Sequence, residues 1–330
     1  MSPARRRRRL VGGLDLGGTK IQAVLLDGRR SVVAEAKQPT PAKGDADAVV
    51  AALAATLKEV CDSAGVETSE LAGVGVGSPG AIDARRGIVS GAGNLPGEGA
   101  PIHIGAGLRE LAGTRAYVDN DVTVGVYAEY VLGAAKRAKS LLGVWWGTGV
   151  GGGLVLDGKK WEGRGSAGEL GHVVVKIDGA QCTCGRRGCL EAYAGRGAME
   201  LRARHLHKRG HKTDLFKIMK ERDRTRLQSG IWARALERED PMATELIDRA
   251  IEALGAGIAS AVNLLDVSNV VVGGGLGTRL GEPYVKRIRE AMQPHLFVDE
   301  NPPTVTSVAL GDLGGAMGAA LLVPAAPAKR

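Results

Sequence analysis

Two α/β domains are expected, on three observations. A chain of 330 residues exceeds the usual single-domain size and can bury two substantial cores. Short apolar runs bounded by glycine turns alternate along it with stretches of helical spacing. The plan of LVGGLDLGGTKIQAVLLDG, from Leu10, also returns in SLLGVWWGTGVGGGLVLDG, from Ser140: strand, Gly/Thr turn, strand, turn. Two related halves are therefore predicted, each offering the backbone N–H groups of a hairpin to a shared cleft.

The elements follow in order. Residues 10–16, 21–27 and 31–36 read as a strand meander whose first turn is Gly17-Gly18-Thr19-Lys20. Val49, Leu53, Leu57 and Val60 are spaced for a helix over 45–64 with Asp45 as N-cap. A buried strand over 71–76 runs into Gly77-Ser78-Pro79-Gly80, and 81–103, rich in glycine and proline, read as a loop. Tyr117-Val118 ends a strand, Asp119-Asn120-Asp121 follows at its carboxyl end, and 122–132 turns helical. The second half offers a strand at 141–146, a glycine turn at 147–152 and a strand at 153–156. Mostly helical, basic sequence occupies 194–238, then a long helix at 242–265 is announced by Asp240-Pro241. Strands at 270–272 and 305–309 and a helix at 313–322, with Asp312 as N-cap, close the pattern.

Composition narrows the function. No apolar run is long enough to span a bilayer, and the arginine run at 5–9 is followed by no leader-type apolar stretch, so a cytoplasmic protein without membrane contact is expected. The net charge of +8 raises the question of nucleic acid. Part of it lies in a tail over residues 1–9 expected to be disordered. Lys208, Arg209, Lys212, Lys217, Lys220, Arg222 and Arg224 suit a solvated helical face, and aromatics at 3% leave little for base stacking, so no nucleic-acid partner is expected.

His172, Cys182, Cys184 and Cys189 place four zinc-type ligands in one short segment, the number a closed tetrahedral site takes. A disulfide between Cys182 and Cys184 is geometrically poor, and three clustered cysteines cannot all pair with one another. A structural zinc knuckle is expected, with Glu169 and Glu191 drawn into its neighbourhood.

The remaining chemistry points to phosphoryl transfer. The glycine hairpins let backbone amides approach anionic oxygens, with Gly17, Gly18, Thr19, Lys20, Thr148 and Gly149 near phosphates, Asp15 suited to a hydrated Mg²⁺, and Gly273, Gly274 and Gly275 open to a flat nucleoside. Asp121 is the candidate base for an attacking hydroxyl, a position that also suits a helix N-cap. Asn94, Asn120, Glu169, His172 and Glu191 are partners of the kind a polyhydroxylated substrate needs.

Taken together, DLGGTK at 15–20, SPG at 78–80, NLPG at 94–97, ND at 120–121, GTGVGGG at 147–153, GELGH at 168–172, CTCGRRGCLE at 182–191 and VVGGGLG at 271–277 resemble the ROK family of sugar kinases and repressors. The resemblance runs from about residue 10 to about 322 and is strongest to bacterial ATP-dependent glucokinases. It implies an actin- and hexokinase-like (ribonuclease H-like) fold with an interdomain cleft: an N-terminal domain over 1–120 completed by a helix at 311–323, and a larger domain over 121–310 with the zinc segment at 172–189. It further implies ATP, Mg²⁺ and zinc, and a homodimer or dimer of dimers. Asp121 becomes the base for a hexose 6-hydroxyl, glucose first. Asn94, Glu169, His172 and Glu191 would contact the sugar, and His172 with the three cysteines would hold zinc. N-acetylmannosamine or another hexose is the alternative substrate. A non-catalytic sugar sensor or repressor is the alternative of another class, although repressors of this family carry a DNA-binding helix-turn-helix ahead of the strand that begins here at Leu10.

Overall fold

The computed structural model describes residues 9–93, 95–97, 99–298 and 300–325. The chain divides into two compact units, one running to Glu129 and resuming at Leu310, the other spanning Tyr130–Ala309. The expected disordered tail lies, apart from Arg9, outside the described residues. No helix among the described residues is long and apolar enough to cross a membrane.

In the first unit β1 (Val11–Leu16), β2 (Lys20–Leu26) and β3 (Val32–Pro39) form the antiparallel meander. Next come α1 (Ala46–Ala64), β4 (Val74–Ser78), β5 (Ala81–Asp83), β6 (Ile88–Ser90), α2 (Ile104–Ala112), β7 (Ala116–Asn120) and α3 (Asp121–Val131). The sheet order is β3-β2-β1-β4-β7, with β4 parallel to both β1 and β7. Asp45 caps α1 as expected, accepting from the Ala48 amide at 3.0 Å, and the stripe Val49, Leu53, Leu57 and Val60 is buried. The loop expected over 81–103 contains the β5–β6 hairpin, whose three-residue strands are too short to show alternation. Asp121 and the first turns of α3 belong to this unit, where Val124 packs against Gly77.

The second unit opens on β8 (Leu141–Trp146), β9 (Val150–Leu156) and β10 (Lys159–Lys160), again antiparallel. Then follow α4 (Glu191–Ala194), α5 (Arg196–Lys208), α6 (Leu215–Glu221), α7 (Ser229–Glu237), α8 (Pro241–Leu265), β11 (Asn269–Gly273), α9 (Gly274–Leu280), α10 (Glu282–Met292) and β12 (Thr304–Ser307). Its order, β10-β9-β8-β11-β12, repeats the pattern of the first sheet, so the likeness between the two halves of the sequence is one of topology. β9 begins three residues earlier than expected, because Val150 pairs with Trp146 and draws Gly151 and Gly152 into the ladder. Glycine is required there: a Cβ on Gly152 would lie 2.5 Å from the Gly168 carbonyl oxygen. Asp240 caps α8 through the Ala243 amide at 2.8 Å, with Pro241 in its first turn.

The last helix, α11 (Gly314–Ala320), returns to the first unit. It is not capped by Asp312 as expected; that carboxylate is drawn instead to Lys20 Nζ at 3.0 Å, across 292 residues of sequence. α11 lies on β1 and β4 at backbone distance, since a Cβ on Gly13 would sit 2.0 Å from Ala316 O and one on Gly75 1.7 Å from Ala319 O. Neither obstacle is a movable side chain. Gly75→Ala should therefore cost about 3 kcal/mol or more, at the severe end of overpacking. Gly28→Ala, whose added Cβ meets nothing within 4 Å, should be near neutral. Urea unfolding midpoints compare the two, and equal midpoints would contradict this packing.

Candidate active site

In the first unit β1 delivers Asp15 to the glycine turn, which Gly17 N–H closes onto Lys20 O at 2.9 Å and Thr40 Oγ1 braces through Gly17 O at 2.6 Å. Asp15 is half-buried, and its carboxyl is pushed up to about 6, first by burial, then by the negative charge of Asp121, with Lys20 opposing and Asp312 adding to the push. Asp121 follows directly on β7. The cap position its sequence also suited is taken by Asn120, whose Oδ1 accepts from the Val122 and Thr123 amides at 3.1 Å each. Asp121 Oδ1 accepts from Val122 N–H at 2.9 Å, and burial raises its pKa against that amide's stabilisation. Lys20, expected near phosphates, is paired with Asp312. Asp15 thus feels two other carboxylates and one ammonium, an excess of negative charge that suits a cation. Asn94 lies outside the described residues.

In the second unit the turn Gly147-Thr148-Gly149 joins β8 to β9, and Glu191, first residue of α4, reaches across it. Glu191 Oε2 accepts from Val150 N–H at 2.9 Å, and Oε1 accepts from the Thr183 hydroxyl at 3.3 Å. A Cβ on Gly149 would lie 2.2 Å from that Oε2, so a larger residue there would displace the Glu191 carboxylate from the Val150 amide. Two residues the sequence reading missed join it: Arg196 donates to Thr148 Oγ1 at 2.7 Å and to Ser229 Oγ at 3.1 Å. No local motif signals these contacts, which span 48 and 33 positions. Gly273 ends β11, and Gly274, at φ +80°, opens α9 against the Trp146 backbone. The amide of Gly275 is 3.7 Å from where a Cβ on Gly147 would stand. The glycines at 147–149 and 273–275 therefore meet at one corner.

The ligand set also converges. One donor atom from each of His172, Cys182, Cys184 and Cys189 lies within 4.8 Å of the others, with His172 Nδ1 3.9 Å from Cys182 Sγ and Cys184 Sγ 3.7 Å from Cys189 Sγ. The loop closes through Cys182 N–H to Arg186 O and Gly185 N–H to Cys182 O, with Gly185 and Gly188 at positive φ. Hydrogen bonding from the Arg186 amide lowers the Cys184 thiol to about 7, whereas burial pushes Cys189 up to about 12. His172 Nε2 is 3.9 Å from Glu169 Oε2, so the imidazole faces the cysteines with one nitrogen and a carboxylate with the other.

The sequence profile of the ROK family matches residues 11–326, and the chain belongs to that family. It is similar to a Thermotoga maritima glucokinase, 30% identical with 86% of this chain and 87% of the relative covered. It is similar to the N-acetylgalactosamine kinase AgaK of Shewanella sp., 31% identical over 94% and 95% of the two chains. Among solved structures it resembles a Streptomyces griseus ROK family glucokinase in complex with glucose and AMPPNP, at 30% identity and TM-score 0.77 over 95% and 98% of the chains. The mixed α/β, hexokinase-like fold expected from the sequence is the one observed.

The Asp15 carboxyl has a consequence for stability. Its folded pKa lies above the unfolded one, so between about pH 4 and 6 the native state binds more protons and stability falls as pH rises. Above that window the cost is fully present. Asp15→Asn should raise stability at pH 7.5 by about 1–2 kcal/mol, after allowing for the lost attraction to Lys20, and the gain should vanish by pH 4. Thermal melts in Mg²⁺-free buffer check this, and an equal gain at both pH values would count against it.

Proposed function

We propose that this chain is an ATP-dependent hexokinase, acting first on glucose, that transfers the γ-phosphoryl group to the sugar 6-hydroxyl with Asp121 as general base. The observation that carries the reading is Asp121 itself, a half-buried carboxylate fixed at the start of α3, with a raised pKa. A carboxylate made more basic by burial suits proton removal from an alcohol. As the bond from O6 to Pγ forms, the bond from Pγ to the bridging oxygen of ADP breaks. The O6 proton passes to Asp121, and ADP leaves with the electron pair.

The other assignments follow the chemistry of each group. Asn94, Asn120, Glu169, His172 and Glu191 are assigned to sugar hydroxyls, and the backbone amides of Gly17, Gly18, Thr19 and Gly149, with the Thr148 hydroxyl, to phosphates. Gly273, Gly274 and Gly275 offer side-chain-free backbone to the nucleoside. Asp15 would hold Mg²⁺ through its hydration shell, and the ion would neutralise phosphate charge when bound. Lys20, one of whose three N–H donors is held by Asp312, has two left to offer a phosphate. The His172, Cys182, Cys184 and Cys189 donor set fits a tetrahedral zinc, with His172 Nδ1 toward the metal and Nε2 available to Glu169. A reducing, cytoplasmic setting is proposed with it. Homodimer formation is proposed on the family resemblance.

Asp121→Ala should lower kcat on glucose by about 10³-fold while glucose affinity by calorimetry stays within a few-fold. Retained turnover would remove Asp121 from the role of base. Comparing kcat/KM on glucose, mannose, fructose, N-acetylglucosamine, N-acetylgalactosamine and N-acetylmannosamine decides the substrate. A preference for an N-acetyl sugar, the chemistry of the Shewanella relative, would keep the mechanism and move the specificity. Cys184→Ser should lower bound zinc, measured by elemental analysis, together with Tm and glucose affinity. Full glucose affinity in a zinc-free variant would separate the metal from the sugar site.

A further inference from the structure

Arg196 enters neither the sugar assignments nor the metal cluster, and its placement is unusual for a charged side chain. It opens α5 directly after Gly195, where a Cβ would lie 2.8 Å from Glu191 O and 3.4 Å from Gly149 Cα, so α5 is pressed onto the glycine turn. The backbone is fixed there twice, by Arg196 N–H to Gly147 O at 3.1 Å and Gly197 N–H to Thr148 O at 2.9 Å. From this anchor the guanidinium bridges Thr148 Oγ1 on the turn and Ser229 Oγ at the start of α7. Ser229 Oγ in turn is 3.6 Å from where a Cβ on Gly275 would stand, at the opening of α9. One side chain therefore ties together the turn and the starts of two helices.

Its partners are neutral hydroxyls. Among the described residues no carboxylate stands within ion-pair distance of Arg196. Glu200, the carboxylate whose charge acts on Arg196, is already held by Arg204 at 2.7 Å, Arg226 at 3.0 Å and the Leu227 amide at 3.0 Å. Burial weakens the proton affinity of Arg196, with Glu200 opposing and Arg226 adding to the effect. A half-buried guanidinium without an anionic partner is costly, and two hydroxyls use only two of its five N–H donors.

We propose that Arg196 recognises the phosphate chain of the phosphoryl donor, directing its remaining N–H groups to phosphate oxygens while it fixes the Thr148 hydroxyl beside them. The inference deepens the kinase reading and rests on it for the identity of the donor. A guanidinium matches phosphate oxygens in a planar, two-pronged geometry that an ammonium does not reproduce.

The test uses the full chain with Arg196→Met and Arg196→Lys, measuring Kd for AMPPNP and for adenosine by calorimetry, and KM for ATP and for glucose by ADP release. Arg196→Met should weaken AMPPNP and raise the KM for ATP by about 10–100-fold, the loss expected of a charge-assisted hydrogen bond. Adenosine Kd and glucose KM should stay within about two-fold, because neither ligand carries the phosphate chain. Arg196→Lys, which keeps the charge and loses the fork, should fall between. Equal losses for AMPPNP and adenosine would overturn the inference in favour of a purely structural bridge, as would an unchanged AMPPNP Kd. A parent chain that binds AMPPNP but phosphorylates no sugar would sink the kinase reading while the binding comparison still decides the role of Arg196. If Arg196→Met does not fold, judged by its melt, the same comparison is read from Arg196→Lys.

Discussion

The hydrogen bond from the Val150 amide to Glu191 Oε2 makes three segments share one carboxylate. The turn at 147–149 owes its shape to it, since Gly149 lies where any Cβ would strike that oxygen. The cysteine loop is joined through Thr183, and α4 begins on the residue itself. Around this carboxylate the unit places its other functional groups at short reach. Cys189 precedes it by two residues, Gly195 ends the helix it starts, and Arg196 follows onto the turn. A metal bound by His172 and the cysteines would therefore stiffen more than its own loop, because the loop, the turn and α4 are coupled through the hydrogen bonds of Glu191.

The first unit is governed by charge. Asp15, Asp121 and Asp312 carry negative charge into a neighbourhood with Lys20, and burial makes each uncompensated charge more expensive than it would be in water. The Lys20–Asp312 pair is mostly a surface interaction, with Asp312 72% exposed, so it contributes little stability. Its effect is on position: it holds the one ammonium of the group aside from Asp15 and Asp121. Asp121 keeps the Val122 amide, while Asp15 feels the charge of Asp121 against only a partial offset from Lys20, an arrangement unfavourable in isolation and favourable once a divalent cation or a positively polarised ligand is present.

Much of the fold was legible because its signals are local. Asp45 and Asp240 stand one residue ahead of apolar stripes, and both cap; the glycine runs mark turns; and four ligands within 18 residues meet as the chelate pattern requires. What the sequence hid depends on distant partners. Asp312 has the place of an N-cap, but an ammonium 292 positions away competes successfully for its carboxylate. Gly151 and Gly152 look like turn residues and are strand, because the ladder with β8 and the close approach of Gly168 outweigh glycine's preference. Of the candidate site, the carboxylates and the chelate could be read from spacing. Arg196 and Ser229 could not, since α5 and α7 bring them to Thr148 only after folding.

The return of α11 to the first unit has a consequence for how the protein is made. β1 and β4 expose the glycine-lined face of Gly13 and Gly75 until residues 314–320 arrive to cover it, and those residues follow the whole of the second unit in the chain. The second unit is contiguous and can close on its own core as soon as its last strand emerges. The first unit, begun before the second, is thus completed only after it, and the nascent chain must keep an uncovered sheet face from packing elsewhere while residues 130–309 are made.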